Sequence, residues 1–292
     1  MSSDVAPGIR AIATIRGRVD EVLGERLRGW RQELAELDPS AADLVDEIER
    51  LIEAGGKRLR PAFLYWGYRA AGGVDGQEVV RAAAALELLH TFALVHDDLI
   101  DGVKERRGVP ATVLAFAERA PERDPEVFGT GSAVVVGDLA LVLATSLLRT
   151  SGFASDRVER AWSRFERTCL AMAAGQYLEL RGLATVTMPE ALAHLKGGAY
   201  TVEGPVAIGA ALAGSPQEVD AILAAFARPA GEAFQLRDDL ADGDAVPGVS
   251  RTTIDRLVDR AVEPLRDPRL EPEAAGALAA IVELFRTPGD PG

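Results

Sequence analysis

Residues 77–100 read QEVVRAAAALELLHTFALVHDDLI, an apolar stretch that ends in acidic residues. Its alanines, leucines and valines recur at spacings of three and four residues, which places them along one face of an α-helix. The same spacing continues through almost the whole chain, and no clear alternation of apolar and polar residues marks a strand. The sequence therefore predicts an all-α fold that includes this long helix.

Capping residues and glycines set the other helix boundaries. Ser40 is a candidate N-cap for a helix that Gly55 and Gly56 end. Further helices are predicted over residues 130–149, 156–183, 188–213, 215–240, 250–264 and 271–286. No repeat or low-complexity linker divides the chain, so we predict a single domain over 1–292, with about 1–12 and 287–292 frayed.

Composition excludes several classes of protein. The 292 residues include 45 acidic and 32 basic side chains, and the net charge of −13 disfavours binding to nucleic acid. The single cysteine, Cys169, forms no intramolecular disulfide, and no signal peptide is evident at Met1–Arg10. We therefore expect a cytoplasmic protein.

The most apolar segment, residues 132–148, contains Asp138. An aspartate in the middle of a bilayer costs about 3 kcal/mol. We interpret this segment as a buried core helix and expect no membrane span.

Three aspartates, Asp97, Asp98 and Asp101, end the long helix. Asp97 and Asp101 are one turn apart, with Cβ atoms about 5–6 Å from each other. Carboxylates at a helix C-terminus oppose the helix dipole, so the cluster calls for a cation, and Mg²⁺ that also holds phosphates suits such ligands. The alternative is a solvated acidic helix end.

A second cluster, Asp238, Asp239 and Asp242, repeats the D-D-x-x-D spacing after an apolar segment. Helical bundles build metal sites from carboxylates on facing helices. The two clusters together predict a metal-bridged diphosphate site, although chance recurrence of the spacing in an acidic protein stays open.

Two basic motifs are candidate phosphate-binding sites. The motif GGKRLRP (55–61) places three cations in a glycine turn before a helix N-terminus, an arrangement that favours anions. Arg106-Arg107-Gly108 follows the first aspartate cluster, and arginine binds phosphate oxygens bidentately. The alternatives are an ordinary helix end and an exposed loop.

Taken together, these motifs resemble those of the trans-isoprenyl diphosphate synthases. The resemblance rests on GGKRLRP (55–61), ELLHTFALVHDDLID (87–101), RRG (106–108) and FQLRDDLAD (234–242), and it covers roughly residues 40–242. It implies an all-α bundle around a central apolar cavity, usually in a homodimer. It also implies a Mg²⁺-dependent transferase that condenses an allylic diphosphate (dimethylallyl, geranyl or farnesyl) head-to-tail with isopentenyl diphosphate.

The resemblance implies roles residue by residue. The catalytic and Mg²⁺-binding residues are Asp97, Asp98, Asp101, Asp238 and Asp239, with Asp242 as a further metal ligand. The contacts to isopentenyl diphosphate are Lys57, Arg60, His90 and Arg107. The contacts to the allylic diphosphate are Arg106, Lys196 and Gln235, and Gln176 lies close to the metal and diphosphate. Thr201 is a substitute donor, because Gly197 stands where the family has a hydroxyl residue.

An aromatic residue five positions before the first aspartate sets product length in the family. Phe92 occupies that position, and Ala93 follows it. This pattern is typical of C20 synthases and predicts geranylgeranyl diphosphate as the product. The alternatives are that Phe92 is core packing and that His90 is a core histidine.

The resemblance weakens after the second cluster. Residues 243–249 and the terminal helices stand where the family has several dozen more residues, and no basic residue lies between Arg237 and Arg251. Two other functions therefore stay open, a class I terpene cyclase on the same fold and a non-catalytic synthase-like subunit. A cyclase binds one diphosphate and does not account for GGKRLRP.

Overall fold

The computed structural model describes residues 5–120, 124–182, 194–242 and 250–286. Within these ranges the chain forms α1 Val5–Leu37, α2 Asp43–Glu53, α3 Leu59–Ala70, α4 Gln77–Asp101, α5 Thr112–Ala117, α6 Pro125–Arg149, α7 Ser155–Leu180, α8 Gly204–Ala213, α9 Gln217–Asp242, α10 Arg251–Val262 and α11 Pro272–Glu283. A π-helix, His194–Glu203, precedes α8, and 3₁₀ turns cover Pro39–Ala42, Glu263–Arg266 and Leu284–Arg286. The predicted all-α class is confirmed.

A short antiparallel hairpin interrupts the helices between α4 and α5. It consists of β1 Glu105–Arg106 and β2 Val109–Pro110, paired Glu105 to Pro110 and Arg106 to Val109. Two-residue strands leave no alternating pattern in a sequence, so the sequence did not predict this hairpin.

The entry to α2 corrects one predicted cap. The Asp38 carboxylate accepts hydrogen bonds from the Ser40 amide and hydroxyl, at 2.9 and 2.5 Å. The prediction of Ser40 as an N-cap is wrong, because Asp38 caps the 3₁₀ turn that leads into α2.

The chain divides into two compact units. The first unit comprises 1–16, 58–83 and 151–292, and the second comprises 17–57 and 84–150. The helices α1 and α4 contribute residues to both units. Each unit is described below by itself, and the single domain stays a prediction.

Closely packed helices form the core of the first unit. Gly209 of α8 lies against the backbone of α3 at Leu64, and Gly67 of α3 lies against Val206, so α3 and α8 approach each other through glycines. The helix α1 begins at Val5, within the stretch that we expected to fray, and the carbonyl oxygen of Ala11 accepts a hydrogen bond of 2.9 Å from the indole of Trp66. Tertiary contacts therefore hold this end of the chain.

A buried carboxylate organises the second unit. Glu47 has no exposed surface, and it accepts hydrogen bonds from Arg50 at 2.7 and 2.6 Å and from Thr112 at 2.8 Å. Arg50 also donates to the carbonyl oxygen of Pro110 at 2.8 Å. This network ties α2 to the hairpin and to α5, and it compensates the buried charge.

The helix α6 differs from its prediction as a buried core helix. Val127, Val135 and Val142 are 64%, 49% and 61% exposed, while Val136 and Ala140 are buried. The predicted burial is wrong for the face that carries the exposed valines. Apolar residues lie on all sides of α6, but only one side packs within the second unit. By length and composition alone, α4 and α6 could span a membrane, a test that core helices of soluble proteins also pass.

Candidate active site

In the second unit, the end of α4 is bonded to the hairpin. Asp98 is only 4% exposed, and its Oδ1 accepts hydrogen bonds from Nε of Arg106, at 2.8 Å, and from Nη2. Burial alone would lower the pKa of the Arg106 guanidinium, but the bond to Asp98 and the charges of Asp97 and Asp101 raise it above its ordinary value. Arg106 therefore stays cationic beside the first aspartate cluster.

The turn of the hairpin carries Arg107. Arg107 and Gly108 have φ angles of 54° and 76°, so both central residues adopt the left-handed conformation of a primed hairpin turn. A side chain larger than asparagine is unfavourable there. The Nη1 of Arg107 donates to the carbonyl oxygen of Gly55, and this bond joins two basic motifs that are distant in sequence.

The backbone of the GGKRLRP motif is also unusual. Gly55 and Gly56 have positive φ angles, and Arg58, which precedes α3, has a φ of 53°. Within the described ranges, Arg58 and Arg107 are the non-glycine residues with positive φ. Strained backbone concentrates at functional sites, and here it occurs once in each basic motif. Lys57 is exposed, as a phosphate ligand must be.

In the first unit, Arg60 is held by two neutral side chains of the π-helix. Its Nη2 donates to Tyr200 Oη at 2.5 Å and to Thr201 Oγ1 at 2.9 Å. Its guanidinium carbon lies 4.1 Å from the centroid of the Tyr200 ring. Tyr200 was missed in the sequence, because nothing in its spacing connects it with Arg60.

The second aspartate cluster lies at the end of α9. Gln235 donates from Nε2 to Asp239 Oδ1 at 2.7 Å, so Gln235 orients one of the predicted metal ligands. Asp238 and Asp239 are half-buried. Asp242 is the last residue of the helix, and its side chain lies outside the described part of the structure, as do residues 243–249.

Arg237 was also missed. It is buried next to Asp238, with its guanidinium 5.9 Å from the ring centroid of Phe285. Its Nε has no hydrogen-bond partner among the described residues. The sequence Arg237-Asp238-Asp239 places a cation beside two carboxylates. Such an arginine is equally typical of a solvated surface charge, so the sequence alone did not single it out.

Two further predicted residues lie in the first unit. The Nε2 of Gln176, on α7, is buried and has no hydrogen-bond partner among the described residues, and such a donor fits an anion or its water. Lys196 belongs to the π-helix, but its side chain is outside the described set, so its role stays a prediction.

Two rings of α4, Phe92 and His96, contact each other in the second unit. The rings of Phe92 and His96 meet edge to face with centroids 4.8 Å apart. His96 Nε2 lies 3.4 Å from the carbonyl oxygen of Val134, and Gly137 of α6 leaves room for the ring. His90 is buried, and its contact with isopentenyl diphosphate stays a prediction.

The carboxylates fit Mg²⁺ in donor chemistry. Within the described ranges, no three histidine, cysteine, aspartate or glutamate side chains come together as a closed metal site. Mg²⁺ is usually held by one or two carboxylates together with substrate phosphates, so an open pair is sufficient. Asp97 and Asp101 offer such a pair one turn apart. Arg106 is bonded to Asp98, and its Nη2 also lies 3.9 Å from Oδ2 of Asp97.

Comparison with known proteins identifies the class to which this fold and site belong. The polyprenyl synthetase family model matches residues 42–249, and the chain belongs to that family.

Several curated relatives are similar to this chain. The geranylfarnesyl diphosphate synthase of Aeropyrum pernix is 32% identical over 198 residues, which is 65% of this chain and 58% of that relative. The short chain isoprenyl diphosphate synthase of Methanothermobacter thermautotrophicus is 28% identical over 95% of this chain and 86% of its own. The geranylgeranyl diphosphate synthase of Mycobacterium tuberculosis is 32% identical over 82% of this chain and 62% of its own. The matches to the first and third relatives thus span less than two thirds of their lengths.

A solved structure has the same fold. The geranylgeranyl pyrophosphate synthase of Corynebacterium glutamicum, complexed with isoprenyl diphosphate and magnesium, has a TM-score of 0.82 and 24% identity. The match covers 95% of this chain and 98% of that one. At this identity the likeness establishes the fold.

Proposed function

We propose that this chain is a prenyl diphosphate synthase that condenses an allylic diphosphate with isopentenyl diphosphate. The observation that carries the proposal is the bond from Arg107 to Gly55. It brings the RRG motif to Gly55, at the start of the GGKRLRP motif, within the second unit. This contact supports a second diphosphate-binding site in addition to the aspartates. A terpene cyclase binds a single diphosphate and needs no such site.

The chemistry assigns a task to each group of residues. The allylic C–O bond breaks, and the diphosphate leaves with the bonding electrons. Arg106, Lys196 and Gln235 bind this leaving group, and bound Mg²⁺ would supply Lewis-acid stabilisation of its charge. Asp97, Asp98 and Asp101 with Asp238, Asp239 and Asp242 would hold the metal ions.

The second substrate completes the reaction. Lys57, Arg60, His90 and Arg107 hold isopentenyl diphosphate so that its double bond attacks the allylic carbon, and a new C–C bond forms. A proton is then lost to the departing diphosphate. Apolar surroundings exclude water, which would otherwise capture the allylic cation. Phe92 would limit chain growth, and we propose geranylgeranyl diphosphate as the product.

We also propose that the chain acts as a homodimer in the cytoplasm without a membrane span. The exposed apolar face of α6, defined by Val127, Val134, Val135 and Val142, supports a partner surface on the second unit. Contiguous apolar surface on a helix typically marks an interface. The charge of Asp138 on the same helix, 67% exposed at its side chain, opposes insertion into a bilayer.

Product analysis tests the activity. The full chain is incubated with Mg²⁺, isopentenyl diphosphate and, in separate reactions, dimethylallyl, geranyl or farnesyl diphosphate, and products are dephosphorylated and separated by length. We expect elongation to C20. Hydrocarbon formed without isopentenyl diphosphate would indicate a cyclase, and no product from any primer would indicate a non-catalytic protein.

A further inference from the structure

We propose that Tyr200 is a positioning residue for the isopentenyl substrate, acting through Arg60. This inference deepens the proposed function and rests on it. The sequence motifs assign Arg60 to the diphosphate of isopentenyl diphosphate, and they assign nothing to Tyr200.

The contacts of Arg60 fix its guanidinium in two ways. Tyr200 Oη and Thr201 Oγ1 both accept from Nη2, and the Tyr200 ring lies against the guanidinium at 4.1 Å from its central carbon. The hydrogen bonds set the rotation of the planar group, and the stacking sets its tilt. An arginine held in this way loses less conformational entropy when it binds an anion.

The partners of Arg60 leave its charge uncompensated. Tyrosine and threonine hydroxyls accept hydrogen bonds without carrying a negative charge. Among the described residues, Arg60 has no carboxylate at ion-pair distance, whereas Arg106 is bound by Asp98. Arg60 is therefore oriented like a salt-bridged arginine and still has its full charge for a diphosphate.

The backbone explains why Tyr200 and Thr201 both reach one guanidinium. They lie in the π-helix His194–Glu203, in which more residues form each turn than in an α-helix, so consecutive side chains point in more similar directions. Gly198 of this segment lies directly against the backbone of Gly231 in α9. A Cβ atom at either glycine would clash with the backbone of the other. The close contact therefore holds the π-helix against α9.

Thr201 also acts through Arg60. Its side chain is fully buried, so its hydroxyl serves the arginine and does not face a substrate. Thr201 was predicted to donate directly to the allylic diphosphate. In this proposal it instead orients Arg60 for the isopentenyl diphosphate.

Calorimetric binding of isopentenyl diphosphate to the full chain in the presence of Mg²⁺ tests the inference. We expect Tyr200→Phe to weaken binding about tenfold, because it removes a hydrogen bond to a charged group and keeps the ring. Tyr200→Leu also removes the stacking and should weaken binding further. Thr201→Val should weaken binding, and Thr201→Ser, which keeps the hydroxyl, should restore it. In the condensation assay, the KM for isopentenyl diphosphate should rise and the KM for the allylic substrate should not.

Tyr68→Phe is the matched control. It removes a tyrosine hydroxyl that is bonded at 3.0 Å to the Val74 carbonyl oxygen, on the same helix as Arg60. Its binding should equal that of the wild type. If Tyr200→Phe binds normally while Arg60→Ala does not, the inference fails and the proposed function stands. If the wild type binds isopentenyl diphosphate but forms no product, the proposed function fails, and the binding comparison still decides the role of Tyr200. A wild type that does not bind isopentenyl diphosphate overturns both.

Discussion

Arg107 donates from its Nη1 to the carbonyl oxygen of Gly55, and the same residue holds a left-handed backbone conformation with a φ of 54°. Asparagine and glycine are the favoured residues at this position of a primed hairpin turn. Strained backbone concentrates at functional sites, and an arginine in this conformation therefore supports the proposal that its side chain binds a diphosphate.

Replacing Arg107 should separate stability from activity. Arg107→Gly relieves about 1 kcal/mol of backbone strain and loses one hydrogen bond, so the free energy of unfolding should change by less than about 1 kcal/mol. The condensation rate should fall strongly, because the variant lacks the proposed ligand of the isopentenyl diphosphate. Urea unfolding and the product assay measure the two effects.

Gly108→Ala is the control for that experiment. Gly108 has a φ of 76° and open space around the position of a Cβ, so alanine adds only backbone strain. This variant should be less stable than the wild type. It keeps the charge of Arg107, so its condensation rate should not fall. If Arg107→Gly were strongly destabilised and Gly108→Ala were not, the argument from turn geometry would be wrong.

The bond between Asp98 and Arg106 predicts that lysine cannot replace arginine. Lysine is a point charge and cannot donate from two nitrogens to one carboxylate oxygen. Arg106→Lys should destabilise the fold by about 1–2 kcal/mol, because the buried carboxylate loses part of its compensation. Chemical denaturation measures this loss, and a midpoint equal to that of the wild type would contradict it.

The contact between Gly198 and Gly231 predicts a cost for any side chain. A Cβ at Gly231 would lie 2.7 Å from the Gly198 carbonyl oxygen. Gly231→Ala should therefore lower the free energy of unfolding by about 1–3 kcal/mol. Gly276→Ala is its control, because no atom lies within 4 Å of that Cβ, and it should raise stability by about 0.5–1 kcal/mol. Equal effects of the two changes would refute the close approach.

Cys169 is half-buried, and its raised pKa predicts slow alkylation. Burial, together with the charge of Glu166, raises the pKa of the thiol to about 11 from 9.0. A shift of that size lowers the thiolate fraction about a hundredfold at pH 8, and the thiolate is the reactive form. Iodoacetamide should therefore label the native chain far more slowly than the chain in urea.

The same pKa sets the sign of a pH effect. Between the unfolded pKa of the thiol and about 11, the folded chain keeps a proton that the unfolded chain loses. Stability should therefore fall as the pH rises through this window, and it should fall less in Cys169→Ala. Rapid labelling of the native chain at pH 8 would contradict the raised pKa of the thiol.

The sequence predicted the bounds of several helices well, because their signal is local, but it did not predict α1 or α5. Apolar spacing and caps placed α4 at 77–100, against an observed Gln77–Asp101, and the last helix near its observed bounds. The π-helix was not predicted, since its residues were included in a helix over 188–213 and apolar spacing does not distinguish a π-helix from an α-helix. The burial of only one face of α6 depends on packing, because its apolar residues surround the helix.

The candidate site was predicted in part. The identities of the aspartates and of Arg60, Arg106 and Arg107 came from motifs, but their partners did not. Tyr200 is far from Arg60 along the chain, and only folding brings them together. Arg106 matched an allylic contact, and the structure adds that it is also bonded to Asp98.

The central claim is that this chain elongates prenyl diphosphates with its two aspartate clusters. The most direct measurement is the rate of isopentenyl diphosphate incorporation, with farnesyl diphosphate and Mg²⁺, by the wild type, Asp97→Ala and Asp239→Ala. We predict a C20 product from the wild type and a loss of at least about a hundredfold in each variant, because each loses a carboxylate that would hold the metal. No incorporation by the wild type, or undiminished rates in both variants, would contradict the account.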